Sequence, residues 1–263
     1  MTLQLVALYG YDPMNRRILR MVPPLGLDHR YAYDGWREVE QLVPTVVGQQ
    51  VQALADKTFV WGAQLDELLS YHRLESGSWV GYYATQGRQD NVTALHKAVG
   101  GNASLVEKAE YDPYGKASVY AGGTGTAQPS STVGNPYLFH GRRLDDETGF
   151  AYFRNRYLHT GWGRFLTNDP IGTWGDGANL GNGVAFVGNA PTTFRDPMGT
   201  MSVIGGFGGG DTISEGMGGG GGDGWTCGTA PSKAESRAHP PSYPASPRPA
   251  RSSPVSPPRT PTR

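Results

Sequence analysis

The amino-acid sequence predicts an all-β fold of antiparallel strands that are joined by tight turns. Aromatic and β-branched residues gather in short runs, as at 77–86 and 90–99, and Gly, Asn, Asp and Pro separate these runs. The connections ESGS (75–78), VGGN (99–102) and DETG (146–149) have the composition of hairpin turns. We therefore expect a succession of antiparallel hairpins.

The other strand signals surround one irregular segment. Runs typical of strands occupy residues 59–73, 103–120 and 150–167. Residues 36–58 break the rhythm, and we expect either a short helix or a long loop there. The N-terminus lacks the basic start, apolar core and cleavage site of a signal peptide. No run of 18 apolar residues occurs, so no ordinary transmembrane helix is expected.

The composition changes after residue 204. Residues 205–228 are mostly glycine, and ten of the thirty-five residues in 229–263 are proline. The last segment also carries Lys233 and five arginines against Glu235 alone. Such segments have too little apolar surface to offset the entropy of ordering them. The sequence therefore predicts that the packed fold is followed by a disordered Gly-rich and Pro-rich tail.

Charge and metal-ligand spacing exclude several function classes. The chain has 23 basic and 23 acidic residues, so its net charge predicts neither a nucleic-acid nor a membrane partner. The six histidines include no pair at metal-ligand spacing, and Cys227 is the only cysteine. GGGGGDGWT (218–226) fits one calcium-binding nonapeptide, but without stacked neighbours a flexible linker is favoured. We expect no metal and no cofactor.

A Tyr-Asp unit recurs along the strands. YGYDPMNRR (9–17), YAYDGWREVEQL (31–42) and AEYDPYGKASVY (109–120) each place Tyr-Asp beside a Gly or Pro turn, followed by a basic residue and an apolar strand. A single copy is best interpreted as a strand end whose Asp caps a turn. Three copies in step with the strands indicate a stacked repeat.

Asp-Pro-x-Gly ends both GRFLTNDPIG (163–172) and FRDPMG (194–199). Each copy is a good type I turn, which requires no catalysis. The alternative is that Asp169 and Asp196 form a pair like that of aspartic proteases. In such a pair one carboxyl keeps a proton and polarises a peptide carbonyl, while the other activates water. Arg164 is a candidate to orient one carboxylate, or else a solvated surface arginine.

These strings resemble a known family. NPYLFHGRRLDDETGFAYFRNRYLHTGWGRFLTNDPIG (135–172) resembles the Rhs repeat-associated core domain, and the Tyr-Asp units resemble the YD repeats of Rhs proteins. The resemblance covers roughly residues 9–199. It implies a β-ribbon that spirals into a hollow shell around a C-terminal toxic domain, as in polymorphic toxins. It also implies self-cleavage after the second Asp-Pro-x-Gly, here between Thr200 and Met201.

The sequence departs from the family pattern at three places. YLHTGWG (157–163) stands where the family commonly has a Tyr-Asp-Pro segment. Thr200 stands where leucine is usual, and TWGDGANLGNGVAFVGNAP replaces an aromatic stretch between the two turns. Residues 201–263 show no compact toxin domain, and the repeats are too short to enclose one. We expect a structural end piece of a toxin-enclosing shell, either a fragment or a remnant. The alternative is a single-turnover aspartic peptidase that cuts its own chain after Thr200.

The expected organisation has four parts. Residues 1–110 are YD-type repeats, 111–199 the core domain, 200–228 a Gly-rich linker, and 229–263 a tail rich in Pro, Ser and Arg. The resemblance implies three partners, namely an upstream Rhs shell segment, an immunity protein and secretion machinery. It also implies secretion or display on the surface of bacteria. The Pro-rich tail is a further candidate ligand for partner domains with aromatic grooves.

Overall fold

The computed structural model describes residues 3–204, which form three antiparallel sheets. The described residues belong to one compact unit of the chain. The predictions of a Gly-rich linker, of a Pro-rich tail and of a flexible nonapeptide segment at 218–226 lie outside the described residues.

The first ten strands form one sheet in which every strand pairs with its neighbours in sequence. This order is the expected succession of hairpins, and the prediction of an all-β antiparallel fold is confirmed. The strands are β1 (Leu8–Tyr11), β2 (Arg17–Val22), β3 (Leu27–Asp34), β4 (Arg37–Val47), β5 (Gln50–Trp61), β6 (Leu68–Glu75), β7 (Ser78–Gln86), β8 (Val92–Val99), β9 (Asn102–Tyr111) and β10 (Ala117–Ala121).

Two smaller sheets follow. The four-stranded sheet contains β11 (Arg143–Asp145), β12 (Phe150–Phe153), β13 (Arg156–His159) and β14 (Arg164–Phe165), and the third sheet pairs β15 (Phe194–Arg195) with β16 (Val203–Ile204). Short 3-10 helices in the described part of the chain are Pro23–Leu25, Arg88–Asp90, Phe139–Gly141, Gly177–Asn179 and Val187–Asn189. Among residues 3–204, no helix has the length and apolar character needed to cross a membrane.

The three hairpin turns lie where the sequence predicts them. Glu75 pairs with Ser78 and Val99 pairs with Asn102, which leaves two-residue loops. Ser76 and Gly77 have φ of 47° and 83°, the left-handed values that a tight hairpin turn needs. DETG connects β11 to β12 beyond the pair Asp145 and Phe150.

The prediction of a helix or a long loop at 36–58 is wrong. This segment forms β4 and β5, a long hairpin that closes through Gly48 at φ 65°. Its β-branched residues favour strands, but Pro44 obscures the pattern. The structure tolerates Pro44 because β3 pairs with β4 only as far as Leu42, so no neighbour on that side needs the missing N–H.

Two of the Tyr-Asp units form the same turn. Tyr11 pairs with Arg17 and Tyr111 pairs with Ala117, so each unit closes an equal loop. In both loops the Asp carboxylate accepts two backbone N–H groups, and for Asp112 both distances are 2.9 Å. The middle unit differs, because Asp34 pairs directly with Arg37 across a two-residue turn.

Of the three apolar clusters among residues 3–204, the two larger ones hold the sheets in place. One lies on the ten-stranded sheet and contains Phe59, Leu68, Tyr71, Tyr82, Val92, Leu95 and Tyr137. The other lies beneath the four-stranded sheet and contains Phe139, Ala151, Phe153, Leu158, Phe165, Phe186 and Val187. The ten-stranded sheet continues through β10, which lies beyond the expected division at residue 110. The domain boundaries therefore stay a prediction, and the sheet itself ends at Ala121.

Candidate functional site

The two Asp-Pro-x-Gly segments are turns that their own aspartates stabilise. Asp169 Oδ1 accepts the N–H of Ile171 at 3.1 Å, and the N–H of Gly172 donates to the Asp169 carbonyl oxygen at 3.0 Å. Asp196 likewise accepts a backbone N–H at the end of its own turn, from Thr200. Gly172 and Gly199 have φ of 95° and 70°, which favours glycine at the last turn position.

Both aspartates contact one buried arginine. The Nη2 atom of Arg156 lies 2.8 Å from Asp169 Oδ2 and 3.1 Å from Asp196 Oδ2. The exposed fractions of the three side chains are 0%, 2% and 1%. Arg156 also stacks on Phe165, with its guanidinium carbon 3.6 Å from the ring centroid. The two turns, far apart in sequence, are thus brought to one buried cation.

Burial controls the acid–base properties of this cluster. It raises the pKa of Asp169 and of Asp196, because a charged carboxylate loses its hydration there. Arg156 and backbone N–H groups offset part of that effect on both. Burial likewise lowers the pKa of Arg156, and the two carboxylates oppose that shift. Desolvation, and not the repulsion between two carboxylates on which the sequence hypothesis relied, is the main cause of the raised values.

The predicted cleavage position lies directly on Asp196. Its Oδ1 accepts the N–H of Thr200 at 2.9 Å and the N–H of Met201 at 3.1 Å. The N–H of Met201 belongs to the peptide bond that would be cut. Arg156 Nε donates to the carbonyl oxygen of Gly199 at 2.5 Å, so the backbone on both sides of Thr200 is held.

Side chains from residues 138–157 bind the backbone of the second Asp-Pro-x-Gly turn, at 196–199. Arg142 and Arg154 both donate to the carbonyl oxygen of Pro197. Asn155 Nδ2 donates to the carbonyl oxygen of Met198 at 2.9 Å. Asp66, on the connection between β5 and β6, pairs with both arginines at 2.7 and 2.8 Å. A residue of a loop between two strands of the ten-stranded sheet therefore supports the turn indirectly.

The structure corrects the prediction for Arg164. Arg164 is exposed, and its guanidinium carbon lies 5.6 Å from the centroid of the Trp162 ring. The contacts expected of it are made by Arg156. Strand parity would have indicated this, because Leu158 and Phe165 are inward apolar residues. Alternation places Arg156 on the same face as Leu158, and Arg164 on the face opposite to Phe165.

Asp176 is a third buried carboxylate at this place that the sequence did not single out. Its Oδ1 accepts the N–H of Ala178 at 3.0 Å, and its Oδ2 accepts the hydroxyl of Ser202 at 2.7 Å. An Asp among glycines is an ordinary capping signal, so nothing in the local sequence sets it apart. Within residues 3–204, no three His, Cys, Asp or Glu side chains are grouped so as to hold a metal ion.

The arrangement can support acid–base chemistry on a peptide bond. A carboxyl whose pKa is raised can hold a proton at a higher pH than an ordinary aspartate and deliver it to a leaving nitrogen. Asp196 already contacts the nitrogen of Met201. Arg156 lies between Asp196 and Asp169, so the two carboxylates meet through a cation and not directly.

Several known toxin proteins have similar sequences. The chain is 27% identical over 193 residues to the probable deoxyribonuclease RhsB of Dickeya dadantii, covering 73% of this chain and 12% of that protein. It is 29% identical over 208 residues to the toxin subunit YenC2 of Yersinia entomophaga, covering 73% of this chain and 19% of that protein. The chain thus spans less than a fifth of the length of these relatives.

A solved structure has the same fold. The Photorhabdus luminescens Tc holotoxin pore matches 75% of this chain and 9% of its own chain, with 20% identity and a TM-score of 0.50. No protein-family model matches the chain. The similarities to these Rhs and toxin proteins support the resemblance to the Rhs/YD-repeat family. The antiparallel strands of this chain match the β-shell of Tc and Rhs proteins.

Buried ion pairs join the ten-stranded sheet to the four-stranded sheet. Arg17 on β2 donates to Asp145 on β11 at 2.5 Å, and both side chains are 1% exposed. Arg20 pairs with Glu147 at 2.5 Å, and this contact helps to lower the pKa of Glu147 to about 2. These contacts make the YD-type strands and the core strands parts of one packed structure.

Proposed function

We propose that this chain is a structural end piece of a β-shell that encloses a toxin. The observation that carries the proposal is the buried contact between YD-type strands and core strands, represented by Arg17 and Asp145. An end piece must keep its own shape without a cargo packed against it. Buried ion pairs between its sheets supply that rigidity. Relatives named as a toxin subunit and as a probable deoxyribonuclease support a place in toxin proteins.

The partner in this proposal is an upstream shell segment that pairs with β1. β1 is the first strand of the sheet, and its outer edge has no pairing strand among residues 3–204. Leu3, Leu5 and Leu8 beside this edge are 94%, 58% and 49% exposed. Unpaired edges with apolar side chains favour the addition of another strand.

Co-purification tests this partner. The full chain would be co-expressed with the Tyr-Asp repeat polypeptide encoded directly upstream of it. We expect a complex that Leu5→Lys together with Leu8→Lys weakens, because charges on an edge oppose strand addition. Leu180→Lys is the matched control, because Leu180 is 84% exposed and lies outside β1. A genome that encodes no Tyr-Asp repeats directly upstream, in the same or in a neighbouring frame, or no complex with them, would count against the proposal.

We propose self-cleavage at Thr200–Met201 as a second function, which rests on the contact of Asp196 with the Met201 nitrogen. Asp169 takes a proton from water, and the resulting hydroxide attacks the carbonyl carbon of Thr200. The bond from that carbon to the Met201 nitrogen then breaks. Asp196 supplies the proton to the leaving nitrogen, so the products are a Thr200 carboxyl and a Met201 amine. Arg156 stabilises the charge that remains on the two aspartates.

The intact mass of the purified chain tests this cleavage. We expect loss of residues 201–263 from the wild type and an uncut chain for Asp169→Asn and Asp196→Asn. Asp112→Asn is the matched control, since the Asp112 carboxylate caps another Asp-Pro turn by accepting the N–H groups of Tyr114 and Lys116, and its variant should still be cut. An uncut wild-type chain would exclude self-cleavage and leave the shell role.

A further inference from the structure

Asp176 holds the chain just beyond the predicted cleavage position. Its Oδ2 accepts both the N–H of Ser202 at 3.1 Å and the Ser202 hydroxyl at 2.7 Å. Asp176 is 5% exposed. Ser202 is the second residue after Thr200, so Asp176 holds the chain on the C-terminal side of the Thr200–Met201 bond.

The carboxylate of Asp176 is itself held in place. Its Oδ1 accepts the N–H of Ala178, and Asn179 Nδ2 donates to its Oδ2 at 2.9 Å. Asn179 Oδ1 in turn accepts the N–H of Gly188 at 2.8 Å. A carboxylate that accepts four hydrogen bonds in a buried place is a fixed point and not a mobile surface group.

The segment after the cut would therefore stay attached to the core at three places. Ser202 contacts Asp176, and the Met201 nitrogen contacts Asp196. Val203–Ile204 forms β16, which pairs with β15 through Arg195 and Val203. Hydrolysis would turn the Met201 nitrogen into a free amine, whose positive charge would strengthen its contact with Asp196.

We propose that Asp176 is a positioning residue that anchors Ser202. This anchor presents the Thr200–Met201 bond to Asp196 and retains the released segment after the cut. This inference rests on the proposed self-cleavage. Within residues 3–204, the hydrogen bonds of Asp176 go to Ala178, Asn179 and Ser202 and not to the bond itself, so its role is to hold the substrate segment.

Hydrogen exchange tests the anchor whether or not the chain cuts itself. The amide of Ser202 would be followed in an Asp196→Asn chain, and again in that chain with Asp176→Ala added. We expect at least about tenfold faster exchange at Ser202, as follows from losing a hydrogen bond to a charged group. Ser202→Ala keeps the amide and removes the hydroxyl contact, so position 202 should show a smaller increase. Unchanged exchange in both variants would overturn the anchor.

Cleavage kinetics test the positioning role. In a chain that is otherwise wild type, we expect Asp176→Asn to slow cleavage about tenfold or more at every pH without moving the midpoints of the pH profile. Asp112→Asn is the control for the loss of a turn-capping aspartate, and its cleavage rate should equal that of wild type. A shifted midpoint would make Asp176 an acid or base, and an unchanged rate would remove it from cleavage; either result contradicts positioning.

Chromatography of the cut protein tests retention. The two pieces should elute together from the wild type and separate in Asp176→Asn under the same conditions. Separate elution from the wild type would contradict retention. A wild-type chain that is never cut would refute the proposed cleavage, whereas the exchange measurement at Ser202 would still decide whether the anchor exists.

Discussion

At the scale of single residues, Arg156 is the charge on which the site depends. It is fully buried, it pairs with two carboxylates, and it donates a hydrogen bond to the carbonyl oxygen of Gly199. Removing one partner of a buried ionic group costs far more than removing a surface charge, because the remaining charge has neither water nor a counterion. Arg156 supplies the positive charge that lets the carboxylates of the two turns, Asp169 and Asp196, lie buried near each other.

Arg156→Met should destabilise the fold by about 3–5 kcal/mol, the usual cost of breaking a buried ion pair. Urea unfolding followed by circular dichroism measures this change in the free energy of unfolding. Arg164→Met is the matched control and should change that free energy by less than about 0.5 kcal/mol, because Arg164 is exposed. Equal effects of the two substitutions would contradict the assignment of Arg156.

The raised pKa of Asp196 predicts a pH dependence of stability. The folded chain holds the Asp196 proton more tightly than the unfolded chain, whose pKa is near the ordinary value of 3.8. The free energy of unfolding should therefore fall as pH rises from about 4 through the raised folded pKa. Asp196→Asn removes this contribution, so the difference between wild type and variant should vary with pH in that window. A difference that is constant from about pH 4 to pH 7 would contradict the raised pKa.

At the scale of elements, repeated turns share their chemistry but not their surroundings. The loops that follow Tyr11 and Tyr111 have the same length and the same capping by Asp. Gly115, in the second of these loops, has φ of 91°, and an added Cβ would overlap the ring of Phe139. That loop is therefore packed against the core, and glycine is needed there for space as well as for backbone conformation.

Gly115→Ala should cost more than the same change in an open turn. Gly100 has φ of 58° with nothing within 4 Å of an added Cβ, so Gly100→Ala should cost only the left-handed backbone strain of about 1–2 kcal/mol. Gly115→Ala should add about 1–3 kcal/mol from overpacking against Phe139. Thermal unfolding of the two variants measures the difference, and similar costs would contradict the packed loop.

At the scale of the whole molecule, the described strands form one cooperative structure. The ion pair between Arg17 and Asp145 ties the ten-stranded sheet to the four-stranded sheet, and Asp66 ties the first sheet to the second turn. Since each contact is buried, separating the sheets would expose charges without partners. The YD-type strands and the core strands should therefore unfold together.

Arg17→Met should lower the free energy of unfolding by about 3–5 kcal/mol. Arg30→Met should lower it by less than about 1 kcal/mol, because Arg30 is 45% exposed beside Asp28. Hydrogen exchange of amides in β7 and in β12 should also show one common unfolding free energy in the wild type. Different global values for the two strands would show that the sheets unfold separately.

The strand order and the hairpin turns were predictable because they depend on neighbours in sequence. Glycines and polar residues mark the turns at 75–78 and 99–102, and aromatic runs mark the strands between them. The segment 36–58 was misjudged because Pro44 argues against a strand locally. Only the structure shows that the pairing of β3 with β4 ends at Leu42, before the proline.

The sequence by itself determined that this chain is all-β, that it is similar to Rhs/YD-repeat proteins, and that it has Asp-Pro-x-Gly turns at 169–172 and 196–199. Only the tertiary structure decided that both aspartates meet at Arg156, that Arg164 lies outside, and that Asp176 holds Ser202. The physical reason is distance along the chain. Turn chemistry depends on adjacent residues, whereas a buried charge takes its partners from whichever strands the packing brings to it.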